Sequence, residues 1–269
     1  MKPRGISSGI RWCEVKNMAR ERFSYVRCIG KLDEIVRHDV TRLPSLDGKN
    51  DAMTKMNEYI QDHVPPVLYR YMPASDNAIS SILDEDIYMV PATKMNDAFE
   101  GAAYGINSSV ASNQQEIRRI QNEICLKSFS YAKNSNLMWS HYGDAHKGIC
   151  IGYDFRKVDK NIISHLYPVQ YSNTRFSNVD MQKVASHAFL FLRKSTDWKY
   201  EKEFRLIYKN SELRNENKIA LNCISEITFG LRADPQQIEL VKSLIQRSDI
   251  VLYRTKQKRD SFELTREKI

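Results

Sequence analysis

The sequence predicts an α+β domain with a mixed, mainly antiparallel sheet and flanking helices. Segments with helical and strand periodicity alternate irregularly along the chain, and several short apolar runs follow one another directly, unlike the regular alternation of a doubly wound sheet. The chain has 269 residues, of which 42% are hydrophobic, with 14 Tyr and 10 Phe. This content is ample for one core in a single mixed domain of this length.

The chain divides into a polar, basic extension over residues 1–45 and a single α+β domain over residues 46–269. The extension lacks sustained periodicity, which predicts little regular structure there. A helix is expected around 53–60, and Pro65 and Pro66 end it, because proline cannot continue a helix and favours an extended neighbour.

Further elements follow from local periodicity and capping residues. Helices are expected to open at Ser75, Ser112, Asn178 and Asp234, and the proline after Asp234 strengthens the last of these. Strands are expected over 67–71, 87–90, 125–131, 148–155, 198–208, 224–229, 249–254 and 261–264.

Composition indicates a cytoplasmic protein without a membrane-spanning segment. The five cysteines form no C-x-x-C pair, which favours free thiols in a reducing compartment. No apolar run reaches about 18 residues, and no apolar segment follows the basic N-terminus. The net charge of +8 favours an anionic partner, such as a nucleic acid or a dinucleotide.

The predicted strand over 198–208 carries an unusual row of charges. If side chains alternate along it, Glu201, Glu203 and Arg205 share one face. Repulsion between the carboxylates would raise the pKa of one, while Arg205 would keep the other ionised. The row therefore fits either an acid–base pair in a cleft or an ordinary ion ladder on a solvated edge strand.

A second segment concentrates polar and aromatic groups between two strands. Trp139, Ser140, His141 and Tyr142 supply an indole, a hydroxyl, an imidazole and a phenol in four residues. Such groups could stack on a planar ring and bind a ribose. Trp139 is better explained as a core anchor, whereas both interpretations stay open for His141 and Tyr142.

Common catalytic motifs and metal sites are not predicted. The chain has no phosphate-binding G-x-x-x-x-G-K-[ST], no G-x-G-x-x-G, no H-E-x-x-H and no G-x-S-x-G. His141, Asp144 and His146 lack a recognised metal-ligand spacing, so no metal ligand is assigned.

The chain resembles a bacterial family known as domain of unknown function 2971, some of whose members are linked to abortive phage infection. The resemblance runs from about residue 66 to the C-terminus. The sequence pieces that carry it are Leu-Tyr-Arg-Tyr at 68–71, Asn-Asp-Ala-Phe-Glu at 96–100, Leu-Met-Trp-Ser-His-Tyr at 137–142, Lys-Gly-Ile-Cys-Ile at 147–151 and Trp-Lys-Tyr-Glu-Lys-Glu-Phe-Arg at 198–205.

A more distant resemblance links the chain to ADP-ribosyltransferases of the arginine-serine-glutamate class, and it implies an ADP-ribosyltransferase-like fold with NAD as substrate. Tyr69 and Arg70, then Ser130, then Glu201 and Glu203 follow the order of that class. The resemblance implies that Arg70 holds the NAD pyrophosphate and Ser130 orients the nicotinamide ribose. It also implies that Glu203 stabilises the ribose cation and that Glu201 prepares the acceptor. A histidine-tyrosine-glutamate version would use His141 and Tyr142.

These resemblances make an intracellular effector the leading hypothesis, namely an NAD-dependent ADP-ribosyltransferase that modifies protein or nucleic acid in phage defence. Two alternatives stay open. One is a non-enzymatic module that binds nucleic acid through its basic surface. The other is a metal-dependent nuclease or hydrolase that uses His141, His146 and the paired glutamates.

Overall fold

The computed structural model describes residues 23–39, 52–97, 99, 101, 103–104, 110–174, 176–177, 190–213, 217–245 and 248–269. Its helices are α1 (Tyr25–Asp39), α2 (Ala52–Asp62), α3 (Asp76–Leu83), α4 (Val110–Glu123), α5 (Asn136–His141), α6 (Lys160–Ile163) and α7 (Pro235–Leu244). Short 3₁₀ segments, among them Thr196–Glu201, connect several elements.

The strands form one large sheet and three short pairs. They are β1 (Leu68–Met72), β2 (Asp86–Tyr88), β3 (Val90–Pro91), β4 (Ala103–Tyr104), β5 (Ile124–Ser130), β6 (Ile149–Tyr153), β7 (Leu166–Pro168), β8 (Gln170–Tyr171), β9 (Phe176–Ser177), β10 (Arg193–Lys194), β11 (Glu203–Lys209), β12 (Lys218–Ala220), β13 (Ile224–Phe229), β14 (Val251–Gln257) and β15 (Leu264–Lys268). The large sheet has the order β15-β14-β13-β6-β1-β5-β11-β7, and β3 also pairs with β5. Within it β13 and β14 run parallel and the other pairs antiparallel, which confirms the predicted α+β class and mixed sheet.

The sheet opens beside the middle of β5. Strand β11 pairs with β5 along its whole length, whereas β1 pairs with it only at Tyr69 and Ser130. Strand β3 takes the same side of β5 further along, at Cys125 and Leu126. Between these contacts, the described residues place no strand against that side of 127–129. The opening lies inside a sheet rather than at its edge, and it positions the candidate site.

Several predicted elements are confirmed where local signals are strong. The strands expected over 125–131, 148–155 and 224–229 correspond to β5, β6 and β13. Ser75 caps α3 by accepting a hydrogen bond from the Ala78 amide, and Asp234 caps α7 in the same way through Gln236. The helix expected to open at Asn178 lies outside the described residues.

The strand predicted over 198–208 is wrong in its first half. Ser195 accepts a hydrogen bond from the Asp197 amide and caps a 3₁₀ segment over Thr196–Glu201. Lys202 then adopts a left-handed backbone with φ of 46°, and the strand starts only at Glu203. Glu201 therefore does not belong to the strand face that carries Glu203, because the left-handed turn separates the two residues.

Two helices differ from the sequence prediction at their starts. Ser112 lies inside α4, which begins two residues earlier at Val110. Helix α1 lies within the predicted N-terminal extension, where Cys28 and Leu32 are fully buried and α1 contacts α2. The boundary at residue 45 stays a prediction, but the chain before it contributes apolar side chains to the core.

Among the described residues, no helix combines the length and the apolar character that crossing a bilayer requires. The described cysteines are Cys28, Cys125, Cys150 and Cys223, and all four are buried free thiols.

Candidate active-site cleft

A cavity of about 270 Å³ lies at the opening in the sheet and is called here the sheet-gap cavity. Its walls come from β1, β5, the 3₁₀ segment before β11, and the turn after β3. They are formed by Tyr69, Arg70, Tyr71, Val90, Lys94, Met95, Asn96, Leu126, Lys127, Ser128, Phe129, Ser130, Met138, Tyr142, Lys194, Glu201 and Glu203.

Strand register explains which side chains reach this cavity. Tyr69 pairs with Ser130, and Ser130 pairs with Glu203, so these three residues lie side by side on one face of β1, β5 and β11. Arg70 follows Tyr69 and points to the opposite face of the sheet. It also borders the cavity, because β1 and β5 pair only at Tyr69 and Ser130 and are open where Arg70 would meet the preceding residue of β5.

The carboxylates of Glu201 and Glu203 share a buried network with two cations. The Lys194 ammonium donates to Glu201 Oε2 at 2.7 Å and lies 3.5 Å from Glu203 Oε2. Arg205 donates two hydrogen bonds to Glu203, from Nε to Oε1 at 2.7 Å and from Nη2 to Oε2 at 3.1 Å. All four side chains are buried, and Arg205 also donates to the Phe191 carbonyl. We call this group the carboxylate network.

The carboxylate network splits the pKa values of its two acids. Burial raises the pKa of Glu203, but the charges of Arg205 and Lys194 outweigh it and lower that pKa to about 2. Burial and the Glu203 charge raise the pKa of Glu201 above its ordinary value, although Lys194 opposes both effects. Glu203 is therefore a fixed anion, whereas Glu201 takes up a proton more readily than an ordinary glutamate.

Tyr142 connects the network to the opposite wall of the cavity. Its hydroxyl donates to Glu201 Oε1 at 2.5 Å and accepts from Asn96 Nδ2 at 3.1 Å. Burial is the main cause that raises the pKa of Tyr142, and the hydrogen bond to Glu201 adds to it. The phenol therefore stays protonated and holds the Glu201 carboxylate in one position.

Ser130 fixes the turn that leads away from β5. Its hydroxyl donates to the Glu201 carbonyl and accepts from the Ala132 amide at 2.9 Å. Its single proton is therefore already used, and the side chain can offer a ligand only an acceptor lone pair.

The remaining residues of the predicted aromatic segment lie outside the cavity. Trp139 is 1% exposed and packs edge-on against Tyr71, which confirms it as a core anchor. Ser140 and His141 are exposed. The Ser140 hydroxyl lies 3.2 Å from His146 Nε2, and His141 Nδ1 lies 2.7 Å from the Tyr200 hydroxyl.

Two cations at the opening in the sheet have no carboxylate partner among the described residues. The Arg70 side chain makes no hydrogen bond and no ion pair with those residues, and its Nε is buried. Burial lowers the pKa of Arg70. Lys127, also buried, donates to the Tyr88 carbonyl at 2.7 Å, and within the described chain it has no acidic partner. We call Arg70 and Lys127 the open cations.

Of the residues predicted from sequence, six border the sheet-gap cavity: Tyr69, Arg70, Ser130, Tyr142, Glu201 and Glu203. Four do not, namely Trp139, Ser140, His141 and Arg205, and Arg205 lies behind Glu203 as its partner. Sequence reasoning missed Lys127, although a lysine inside the apolar run of β5 was a usable signal. It also missed Lys194, which reaches the site through the pairing of β10 with β8. No sequence pattern around Lys194 indicates this placement.

No group of three or more His, Cys, Asp or Glu side chains within the described ranges could hold a metal ion.

Several basic residues on and beside the C-terminal strands β14 and β15 form ion pairs with glutamates. Lys256 pairs with Glu267, Lys258 with Glu263, and Arg266 with Glu226.

Comparison with known proteins gives one similarity, and it covers the carboxylate network. No curated protein and no solved structure matches the chain. One family model does match, over residues 138–206, and this span contains Tyr142, Lys194, Glu201, Glu203 and Arg205. Over those residues the chain is similar to the family described as "Protein of unknown function (DUF2971)".

Proposed function

We propose that the sheet-gap cavity binds the nicotinamide ribose and the diphosphate of NAD and that the protein transfers ADP-ribose from NAD to an acceptor on protein or nucleic acid. The observation that carries the proposal is the placement of Arg70, Ser130 and Glu203. They lie far apart in the chain, yet the adjacent strands β1, β5 and β11 bring them to one cavity. Their order along the chain is that of the arginine-serine-glutamate transferases.

The open cations supply the binding half of the proposal. The Arg70 side chain is half-buried and its Nε is buried without a hydrogen-bond partner in the described chain, which is costly, and an anionic ligand removes that cost. Arginine binds phosphate oxygens with two parallel hydrogen bonds, so Arg70 suits the diphosphate of NAD. Lys127 adds a second positive charge beside it.

The carboxylate network supplies the chemical half. When the bond between the ribose C1′ and nicotinamide breaks, its electron pair goes to the pyridinium nitrogen and positive charge develops on the ribose. Glu203, held ionised by Arg205 and Lys194, stabilises that charge. The acceptor then attacks C1′ and passes its proton to Glu201, whose raised pKa favours proton uptake.

The cellular setting in phage defence comes from the family resemblance alone. The nucleic-acid-binding alternative has weaker support, because Lys256 on β14, Lys258 just after it and Arg266 on β15 each form an ion pair with a glutamate. Nucleic acid enters the proposal as one of two acceptor classes.

Nicotinamide release from NAD, measured by chromatography with the purified full chain, tests the proposal. We expect the wild type to release nicotinamide and Glu203→Gln to lower kcat by about 10²- to 10³-fold, the usual loss for one electrostatic group. Glu201→Gln should lower transfer to an acceptor more than it lowers release. Circular dichroism must show that each variant is folded.

Two results would overturn the proposal. One is the absence of nicotinamide release by folded wild-type protein together with no NAD-dependent rise in Tm. The other is full activity in folded Glu203→Gln, because an amide cannot replace the negative charge. His141→Ala serves as a matched control, since His141 is the last residue of α5 and lies outside the cavity.

A further inference from the structure

A second cavity, of about 480 Å³, meets the sheet-gap cavity at the open cations. Its other walls come from α3, from β2 and from Tyr153 on β6. We call it the α3 cavity. Arg70 and Lys127 border both cavities, whereas Ser75, Asn77, Ser81 and Tyr153 border only this one.

Tyr153 is the first observation that points to a ligand in the α3 cavity. The residue is 1% exposed, and its hydroxyl has no hydrogen-bond partner among the described residues. The Tyr153 ring packs edge-on against Phe129, which in turn packs edge-on against Phe155. The phenol therefore cannot rotate out to solvent without disturbing these core aromatic rings. Burial raises the pKa of Tyr153, and it therefore keeps a proton that it can donate.

The charge of the α3 cavity is the second, independent observation. Arg70 and Lys127 contribute two positive charges without a carboxylate partner in the described chain. The acidic group in the wall, Asp86, is held by Lys218 at 2.9 Å. The local balance is therefore positive, and a dianion would neutralise it.

Size and lining decide which dianion fits. The volume of the α3 cavity exceeds the volume of a free oxyanion such as phosphate. It lies within the usual range of about 300 to 1,000 Å³ for small-molecule pockets. Asn77, Ser80 and Ser81 of α3 offer an amide and two hydroxyls to the remainder of the ligand. Such groups hydrogen-bond to a sugar.

We infer that the α3 cavity binds a phosphate monoester of a sugar or nucleoside, with the phosphoryl group against Arg70, Lys127 and the Tyr153 hydroxyl. This site shares Arg70 and Lys127 with the proposed NAD cleft, but the inference does not rest on NAD binding there. Because the open cations border both cavities, an anion in one reduces the attraction for an anion in the other. Each ligand therefore weakens the binding of its neighbour.

Isothermal titration of the full chain with AMP, ribose 5-phosphate and inorganic phosphate tests the inference. We expect both esters to bind, and inorganic phosphate to bind more weakly because it leaves the α3 wall empty. Tyr153→Phe removes only the unpartnered hydroxyl and should weaken ester binding about fivefold to tenfold, the effect of one hydrogen bond. Tyr253→Phe, on the distant strand β14, is the matched control and should bind as the wild type does.

A second variant keeps the test decisive if Tyr153→Phe proves unstable. Asn77→Asp places a negative charge on an exposed wall position, where a carboxylate is compatible with the start of α3. We expect it to weaken ester binding more than it weakens the binding of uncharged ribose.

Three outcomes overturn the inference. The first is that neither ester binds to wild-type protein. The second is equal affinity in wild type, Tyr153→Phe and Asn77→Asp. The third is a loss of NAD binding in Tyr153→Phe that equals the loss of ester binding, because the α3 cavity would then be part of the NAD site. Failure of nicotinamide release leaves the ester titration unaffected, so the two proposals fail separately.

Discussion

Two groups of charged side chains border the same cavity and differ in how their charges are matched. In the carboxylate network, Glu201 and Glu203 face Lys194 and Arg205 at hydrogen-bond distance. The open cations, Arg70 and Lys127, form no ion pair with a carboxylate of the described residues. Within the described residues, the first group has its charges matched, whereas the second has two positive charges that an added anion would match.

This difference separates stability from binding. Breaking a matched buried pair leaves a charge uncompensated and destabilises the fold. Removing an unmatched charge that is partly or wholly buried relieves a desolvation cost, so the fold should tolerate it while ligand binding is lost. Substitutions in the two groups should therefore differ in their effects on stability and on binding.

Arg205→Met should give the largest effect, because it leaves the Glu203 carboxylate buried with only Lys194 nearby. We expect the free energy of unfolding to fall by about 3–5 kcal/mol, as for other broken buried pairs. Urea unfolding measures this loss. Arg254→Met on β14 is the control and should change the same quantity by less than about 0.5 kcal/mol. Equal stability of the two variants would show that the network does not hold the fold.

The pH dependence of the free energy of unfolding should reveal the lowered pKa of Glu203. Its pKa is about 2 in the folded protein and 4.5 ordinarily, so its contribution is complete above pH 4.5 and is lost as the pH falls toward 2. The shift corresponds to about 3 kcal/mol. Glu203→Gln should therefore be less stable than wild type at neutral pH, and the difference should shrink at acidic pH.

Glu201→Gln is the matched comparison for that measurement. The pKa of Glu201 is raised, so its contribution has the opposite sign: it favours folding at acidic pH and is lost as the pH rises through its folded pKa. We expect a smaller loss at neutral pH than in Glu203→Gln. Identical pH profiles for the two variants would contradict the split of their pKa values.

Tyr142→Phe should give the smallest effect on stability. It removes one hydrogen bond to Glu201 and leaves the ion pairs in place. We expect a loss of about 1–2 kcal/mol in the free energy of unfolding, and a further rise in the pKa of Glu201. Thermal unfolding combined with titration of the Glu201 carboxyl by nuclear magnetic resonance measures both. An unchanged pKa would show that the phenol does not position the carboxylate.

Sequence alone predicts the parts of the fold that depend on local patterns. The apolar runs of β5 and β6 and the Asp234-Pro235 helix start are local, and the structure has all three. The left-handed turn at Lys202 was missed, because a lysine gives no sign that it adopts a positive φ. A glycine or asparagine there would have signalled the turn.

The candidate site depends on contacts that local patterns do not encode. The Glu-x-Glu spacing predicts Glu201 and Glu203 as site residues, and both border the cavity. They reach it because of the left-handed turn at Lys202, and they do not share a strand face. Lys194 arrives through β10, and the opening in the sheet arises because β1 and β3 share one side of β5. Both features are set by tertiary packing across distant segments.

The most direct test compares Arg70→Met with wild type in two experiments on the same protein: urea unfolding and isothermal titration with ADP-ribose. We expect Arg70→Met to unfold at no lower free energy than wild type and to bind ADP-ribose at least about tenfold more weakly, since it loses charged hydrogen bonds to phosphate. Equal affinity in the two proteins, or a loss of stability like that of Arg205→Met, would contradict the account that Arg70 is held ready for an anionic ligand.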